Sequence, residues 1–154
     1  TVTDEDDMAS LITKVDEEFG LLNSQKGYQL DYNNGIGEVI IYSDPTSYEI
    51  PITANLDVMV SWTSTIKGNC LISFKGGGNN SGYAYININR NGKVHTSNYF
   101  DYPSPANSSQ VFGYIYDIEV GDIVYITGDR TNVDPAYDSP YVANFTISSK
   151  LAIL

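Results

Sequence analysis

The sequence predicts an all-β protein, an antiparallel β-sandwich of jelly-roll type, with a short N-terminal coiled-coil helix. From residue 28 onward apolar residues recur with period two, the signature of half-buried strands. About ten such runs are separated by Gly, Pro, Asn, Asp and Ser, as in sandwiches and jelly rolls. Before residue 28 the apolar spacing is 4, 3, 4, 3, which is helical. Helical and strand patterns do not alternate along the chain, so a parallel sheet is disfavoured.

Residues 4–23 read as the helix. Thr3 is placed to cap it, with Asp6 three positions on in a variant of the capping box. Acidic residues crowd its first turn, where the helix dipole favours them. Met8, Ile12, Val15, Phe19 and Leu22 form an a/d stripe, widened by Leu11, while Gly20 weakens the last turn. A helix this short is marginal alone in water, so its stripe needs a partner. That partner is either the chain's own domain or other copies of the helix. Residues 23–27 are a polar connector. The expected organisation is a helical stalk and connector at 1–27 and a sandwich head at 28–154, with the five stripe residues holding an oligomer together.

Within the head, residues 52–62 form the clearest strand. Ile52, Ala54, Leu56, Val58, Val60 and Trp62 are expected on the core side, with Asp57, Met59 and Ser61 opposite. Residues 35–42 and 70–74 are two further apolar runs. Residues 83–89 and 94–98 flank Asn91-Gly92, and Asn-Gly between strands predicts a tight hairpin, because a type I′ turn needs positive φ at both central residues. Residues 110–116 follow, then a Gly121-Asp122 turn before the apolar run 123–126. Residues 142–147 and 151–154 close the chain. Residues 75–82, 99–109 and 128–141 are rich in Gly, Asn, Ser, Pro and Asp and read as long loops, where sandwiches usually bind their ligands.

Composition removes several function classes. The net charge is -11, with no Lys/Arg stripe, which argues against nucleic acid and anionic membranes as partners. No apolar run is long enough to cross a bilayer, and the acidic residues 1–7 do not form a secretory signal. A chain that starts at Thr1 and not Met suggests a processed product or part of something longer. The single cysteine, Cys70, rules out an internal disulfide framework and a multi-thiolate zinc site, and its apolar setting predicts an inert, buried thiol. The single histidine, His95, has no Gly-x-Ser-x-Gly elbow to serve and is expected at the surface. Gly76-Gly77-Gly78 lacks the Lys and helix of a phosphate cradle. No enzyme activity, cofactor or metal is therefore expected. Asp101, Asp129, Asp134 and Asp138 leave glycoside hydrolysis or Ca²⁺ binding open as minor readings, although turn aspartates ordinarily bond local backbone and no EF-hand spacing exists.

Tyrosine is the unusual count, 13 of 154 residues. Tyr99, Phe100, Asp101 and Tyr102 place three aromatics around a carboxylate. Asp129 and Arg130 open the next long stretch, which Tyr137 and Tyr141 end. Aromatic faces stack on sugar C–H surfaces, while Asp and Arg bond hydroxyls, so these eight residues are the candidate ligand site. The same rings would serve equally to pack loops onto the sandwich or to line a subunit interface.

The Asn91-Gly92 hairpin, the Val120-Gly121-Asp122-Ile123 turn and the N-terminal heptads together resemble the trimeric heads of the complement-type and tumour-necrosis-factor-like superfamily. They look still more like the head domains of bacteriophage tail fibres and receptor-binding proteins of Gram-positive hosts. The resemblance implies a homotrimer on a virion or other extracellular surface that binds a cell-surface saccharide without catalysis. Because binding residues vary in those heads, none is carried over. A trimeric head making only protein contacts in a tail, baseplate or spore-surface assembly is the alternative, and a glycan hydrolase is a third. So acidic a head should avoid anionic wall polymers unless a cation or a local basic patch intervenes. The expected outcome of sedimentation equilibrium is a trimer mass. A monomer at micromolar concentration would remove the support for the stalk.

Overall fold

The computed structural model describes residues 28–50, 57–78, 82–102, 108–130 and 140–153. The stripe Met8, Ile12, Val15, Phe19 and Leu22, together with Leu56 and Tyr137, lies outside the described residues. The described part consists of nine strands: β1 (Tyr28–Asp31), β2 (Ile36–Glu49), β3 (Asp57–Thr63), β4 (Gly68–Gly78), β5 (Gly82–Arg90), β6 (Lys93–Asp101), β7 (Ser108–Ile118), β8 (Ile123–Arg130) and β9 (Tyr141–Ile153).

These strands form two sheets, β2-β9-β1-β4-β7 and β3-β8-β5-β6. The antiparallel pairs are nested: β5 with β6, β4 with β7, β3 with β8 and β2 with β9. The chain from β2 to β9 is thus one long hairpin folded over on itself, which is a jelly roll. β1 is wedged where β9 and β4 part, antiparallel to β9 and parallel to β4. The tip of the innermost hairpin has φ of 54° at Asn91 and 77° at Gly92, as the Asn-Gly signal predicts. Gly121 supplies the other sharp turn with φ of 89°.

The core lies between the sheets. Ile72 and Phe74 of β4 and Phe145 and Ile147 of β9 face Ile86 and Ile88 of β5 and Val124 and Ile126 of β8. Aromatic rings close its margins: Phe74 meets Phe100 edge-on at 5.7 Å, and Tyr42 stacks on Trp62 at 6.1 Å. Trp62 is therefore a core-margin residue, as its position in the strand pattern suggests. Tyr116 Oη donates to Asn98 Oδ1 at 2.9 Å, tying β7 to β6 across the sandwich.

Two expectations change. Val58 is turned outward and 57% exposed, whereas Val60 is buried. The register runs Val58↔Thr127 and then Val60↔Ile126, so Met59 is an extra residue in a β-bulge. A period-two pattern carries no sign of a bulge, and one inserted residue flips everything before it. The strands also reach into all three supposed loops, taking in residues 75–78, 99–101, 128–130 and 141. In β4 the glycines are needed for space, since a Cβ on Gly76 would lie 2.8 Å from the Tyr102 ring and 2.9 Å from Phe112.

A buried ion pair holds the sandwich end beside the hairpin tip. The Asp122 side chain is 1% exposed and accepts from Arg90 Nε at 3.0 Å, from Arg90 Nη2 at 2.8 Å and from the Glu119 amide at 2.8 Å. Burial alone would raise this carboxyl, but the Arg90 guanidinium and the Glu119 amide hold it below the usual carboxylate range.

The packing sets a contrast between two apolar positions. Ile86→Ala should lower unfolding stability by roughly 2–5 kcal/mol. Val58→Ala should cost less than about 1 kcal/mol. Denaturant unfolding of both variants checks this, and a larger loss at Val58 would contradict the bulge.

Candidate functional site

The outer face of the β3-β8-β5-β6 sheet carries the chemistry. Alternation along β5 sends Ala84, Ile86 and Ile88 to the core and Tyr83, Tyr85 and Asn87 to the other side, where the tyrosines are half-buried and Asn87 is buried. Register then fixes their neighbours. Tyr83 lies between Asp101 and Asp129, Tyr85 between Tyr99 and Thr127, and Asn87 between Ser97 and Tyr125.

Tyr83, Tyr85 and Tyr99 form one aromatic cluster, with ring centroids 6.1, 5.6 and 5.3 Å apart. Tyr99 is 53% exposed, and Tyr83 and Tyr85 are half-buried beside it. Tyr83 Oη donates to Asp129 Oδ2 at 3.3 Å. Burial, and then the neighbouring Asp129 and Asp101 charges, raise the Tyr83 and Tyr99 hydroxyls above the ordinary phenol range. Beside the rings runs a polar row. Ser97 Oγ donates to Asn87 Oδ1 at 2.7 Å, and Asn87 Nδ2 donates to Thr127 Oγ1 at 2.9 Å, across β6, β5 and β8. The face thus offers ring surfaces, two carboxylates and the Ser97 hydroxyl, while Asn87 and Thr127, 6% and 7% exposed, brace the sheet beneath them.

Of the residues expected from the sequence, Tyr99, Asp101 and Asp129 meet on this face. Phe100 and Tyr102 do not. Strand parity turns Phe100 inward against Phe74 and Phe112. Tyr102 is 3% exposed, stacks on Phe112 at 5.6 Å and donates to the Tyr141 carbonyl oxygen at 2.6 Å. Burial pushes its hydroxyl far above the phenol range. Arg130 is paired with Gly82 one position beyond Asp129, and its Nη2 lies 3.6 Å from Glu49 Oε1. Tyr141 contributes its backbone carbonyl to Tyr102. Sequence reasoning missed Tyr83, Tyr85, Asn87, Ser97 and Thr127. The signal was present in residues 82–89, where Gly, Ala and Ile alternate with Tyr and Asn.

Reactive groups elsewhere do not assemble a catalytic centre among the described residues. Burial raises the Cys70 thiol to about 11, which leaves it protonated and inert at neutral pH. His95 is exposed beside Arg90 Nη1 at 3.2 Å. No three His, Cys, Asp or Glu side chains among the described residues converge on a metal-sized site.

No family model and no curated protein sequence matches the chain. Solved structures with a related course of the chain include a family 35 carbohydrate binding module from Clostridium thermocellum. It is 13% identical with a TM-score of 0.40, covering 73% of this chain and 98% of the module. Another is the CBM36-1 domain of a multidomain xylanase from the hindgut metagenome of Trinervitermes trinervoides, 10% identical with a TM-score of 0.35, covering 82% of this chain and 98% of that one. A third is dimeric latent PorU from Porphyromonas gingivalis, 10% identical with a TM-score of 0.40, where 82% of this chain covers 14% of that one. No residue role passes from them to this chain.

The division between surface and core tyrosines is testable. Tyr102→Ala should destabilise the fold by roughly 3–5 kcal/mol, as loss of a buried ring does. Tyr99→Ala should cost less than about 1 kcal/mol. Thermal unfolding of each variant distinguishes them, and equal losses would contradict the assignment.

Proposed function

We propose that this chain is a non-catalytic head that recognises a cell-surface saccharide on the outer face of the β3-β8-β5-β6 sheet. It acts as a homotrimer on a phage tail or a similar extracellular surface. One observation carries the binding reading: an exposed tyrosine, Tyr99, packed with the half-buried Tyr83 and Tyr85 on strands and flanked by Asp101 and Asp129. Ring faces accept the C–H surfaces of a sugar, and the flanking carboxylates and the exposed Ser97 hydroxyl bond its hydroxyls. Strands hold these groups in place before the ligand arrives, which lowers the ordering cost of binding. A shallow site of this kind binds weakly, and three heads on one stalk would raise the effective affinity through avidity.

The trimer and the phage setting rest on the N-terminal heptads and the turn motifs. Ile36 and Ile153, 87% and 79% exposed, lie at the end of the sandwich that holds β1. Apolar side chains beside the start of the head suit a contact between heads. The same observation favours the second reading, a head that makes protein contacts alone.

A glycan array and host-cell binding, run with the wild-type chain and the Tyr85→Ala/Tyr99→Ala double variant, test the proposal. The expected result is at least about tenfold weaker binding by the double variant. Its circular dichroism and sedimentation should be unchanged. Undiminished binding by a folded double variant discards this face as the site. A wild-type trimer that binds no glycan and no cell supports protein contacts alone, and release of reducing sugar supports a hydrolase.

A further inference from the structure

Among the described residues, the charged side chains at the positions paired with Tyr83, Tyr85 and Asn87 are both acidic, Asp101 and Asp129. Asp101 and Asp129 lie on β6 and β8 on either side of Tyr83, roughly 10 Å apart from strand spacing. Neither carboxylate forms an ion pair among the described residues. Asp129 accepts from the Tyr83 hydroxyl and from the Arg130 amide. Asp101 stands beside the Tyr99 hydroxyl. Their outward neighbours on β5, β6 and β8 are Tyr, Asn, Ser and Thr, with no Lys or Arg among the positions paired with Tyr83, Tyr85 and Asn87. The nearest cation along the chain, Arg130, has its guanidinium at Glu49 on the neighbouring sheet.

A neutral sugar can donate hydroxyls to Asp101 and Asp129, but it brings no charge to offset the two carboxylates. A cation requires what this face has. The face of a phenol ring is its electron-rich side and attracts ammonium groups within about 6 Å of the centroid. Carboxylates at the margin then complete the charge. The net charge of -11 also draws cations toward the head and repels acidic polymers.

We propose that this face selects saccharides carrying a compact cation, either the free ammonium of an amino sugar or a quaternary ammonium substituent such as choline. The cation lies over the Tyr85 and Tyr99 rings, with Asp101 and Asp129 supplying the opposite charge. This inference rests on the saccharide-binding reading and adds the class of sugar. It also gives an acidic head a way to hold a polymer of mixed charge, by binding its cationic substituent.

Calorimetric titration of the full chain at low salt and mildly acid pH tests it. The probes are a fully deacetylated glucosamine tetramer, its N-acetylated counterpart and choline chloride. The deacetylated tetramer should bind at least about tenfold tighter than the acetylated one, and added salt should shrink the gap. The Asp101→Asn/Asp129→Asn variant keeps the shape of both side chains and should erase the preference. Competition by choline assigns a quaternary substituent, and a preference among tetramers without choline competition assigns an amino sugar. Equal binding of the two tetramers, or tighter binding of the acetylated one, overturns the cation inference and leaves the saccharide reading standing. No binding of any probe overturns it as well, and the glycan array then decides the broader reading separately.

Discussion

The register of the β5–β6 hairpin is the constraint on which the rest of the molecule depends. Because the strand pairs are nested, the pairing from Arg90↔Lys93 to Tyr83↔Asp101 starts a series that continues outward through β4–β7, β3–β8 and β2–β9. A slip of one residue would send Ile86 and Ile88 to solvent and Tyr83 and Tyr85 into the core. The tight turn at Asn91-Gly92 resists that slip, since both residues hold positive φ. The Arg90–Asp122 pair resists it a second time, by tying the tip of the hairpin to the turn between β7 and β8. Removing Arg90 would leave the Asp122 carboxylate, 1% exposed, without its charge partner, which is costly.

One strand therefore does two jobs. β5 gives Ala84, Ile86 and Ile88 to the core and Tyr83, Tyr85 and Asn87 to the outer face. The aromatic cluster inherits its rigidity from the core behind it, because Tyr83 and Tyr85 each lie between two buried residues of β5. Loops would place three rings less reproducibly, and an entropic cost would follow on binding. The tyrosines that look most alike in sequence are separated by this geometry: Tyr99 is a surface ring, and Tyr102, three residues on, is a core ring braced by Phe112 and the Tyr141 carbonyl.

Much of the fold was legible from local chemistry. The Asn-Gly turn, the Gly-Asp turn and the alternating runs are short-range signals, and they mark β5, β6 and β8 correctly. What escaped was information carried between strands. The bulge at Met59 depends on pairing with β8, so Val58 reads as core in sequence and lies outside in the fold. The glycines of β4 read as loop because Gly is a turn residue, yet Gly76 serves the Tyr102 and Phe112 rings lying above it. The site was half legible. Tyr99, Asp101 and Asp129 were singled out as loop residues for their chemistry, but Tyr83 and Tyr85 were passed over because a strand was taken for scaffold. Only cross-strand register shows that these five residues share a face.

The location of charge follows from the same geometry. Two basic side chains near the aromatic face are engaged elsewhere: Arg90 with Asp122, and Arg130 with Glu49 on the other sheet. Asp101 and Asp129 sit directly opposite Tyr83 and share its side of the sheet. Carboxylates facing outward at sheet positions are usually offset by a cross-strand Lys or Arg, which stabilises the pair modestly. Here the cross-strand partner is a tyrosine ring on both sides. That arrangement forgoes a small stabilisation and leaves, among the described residues, a negatively biased aromatic surface.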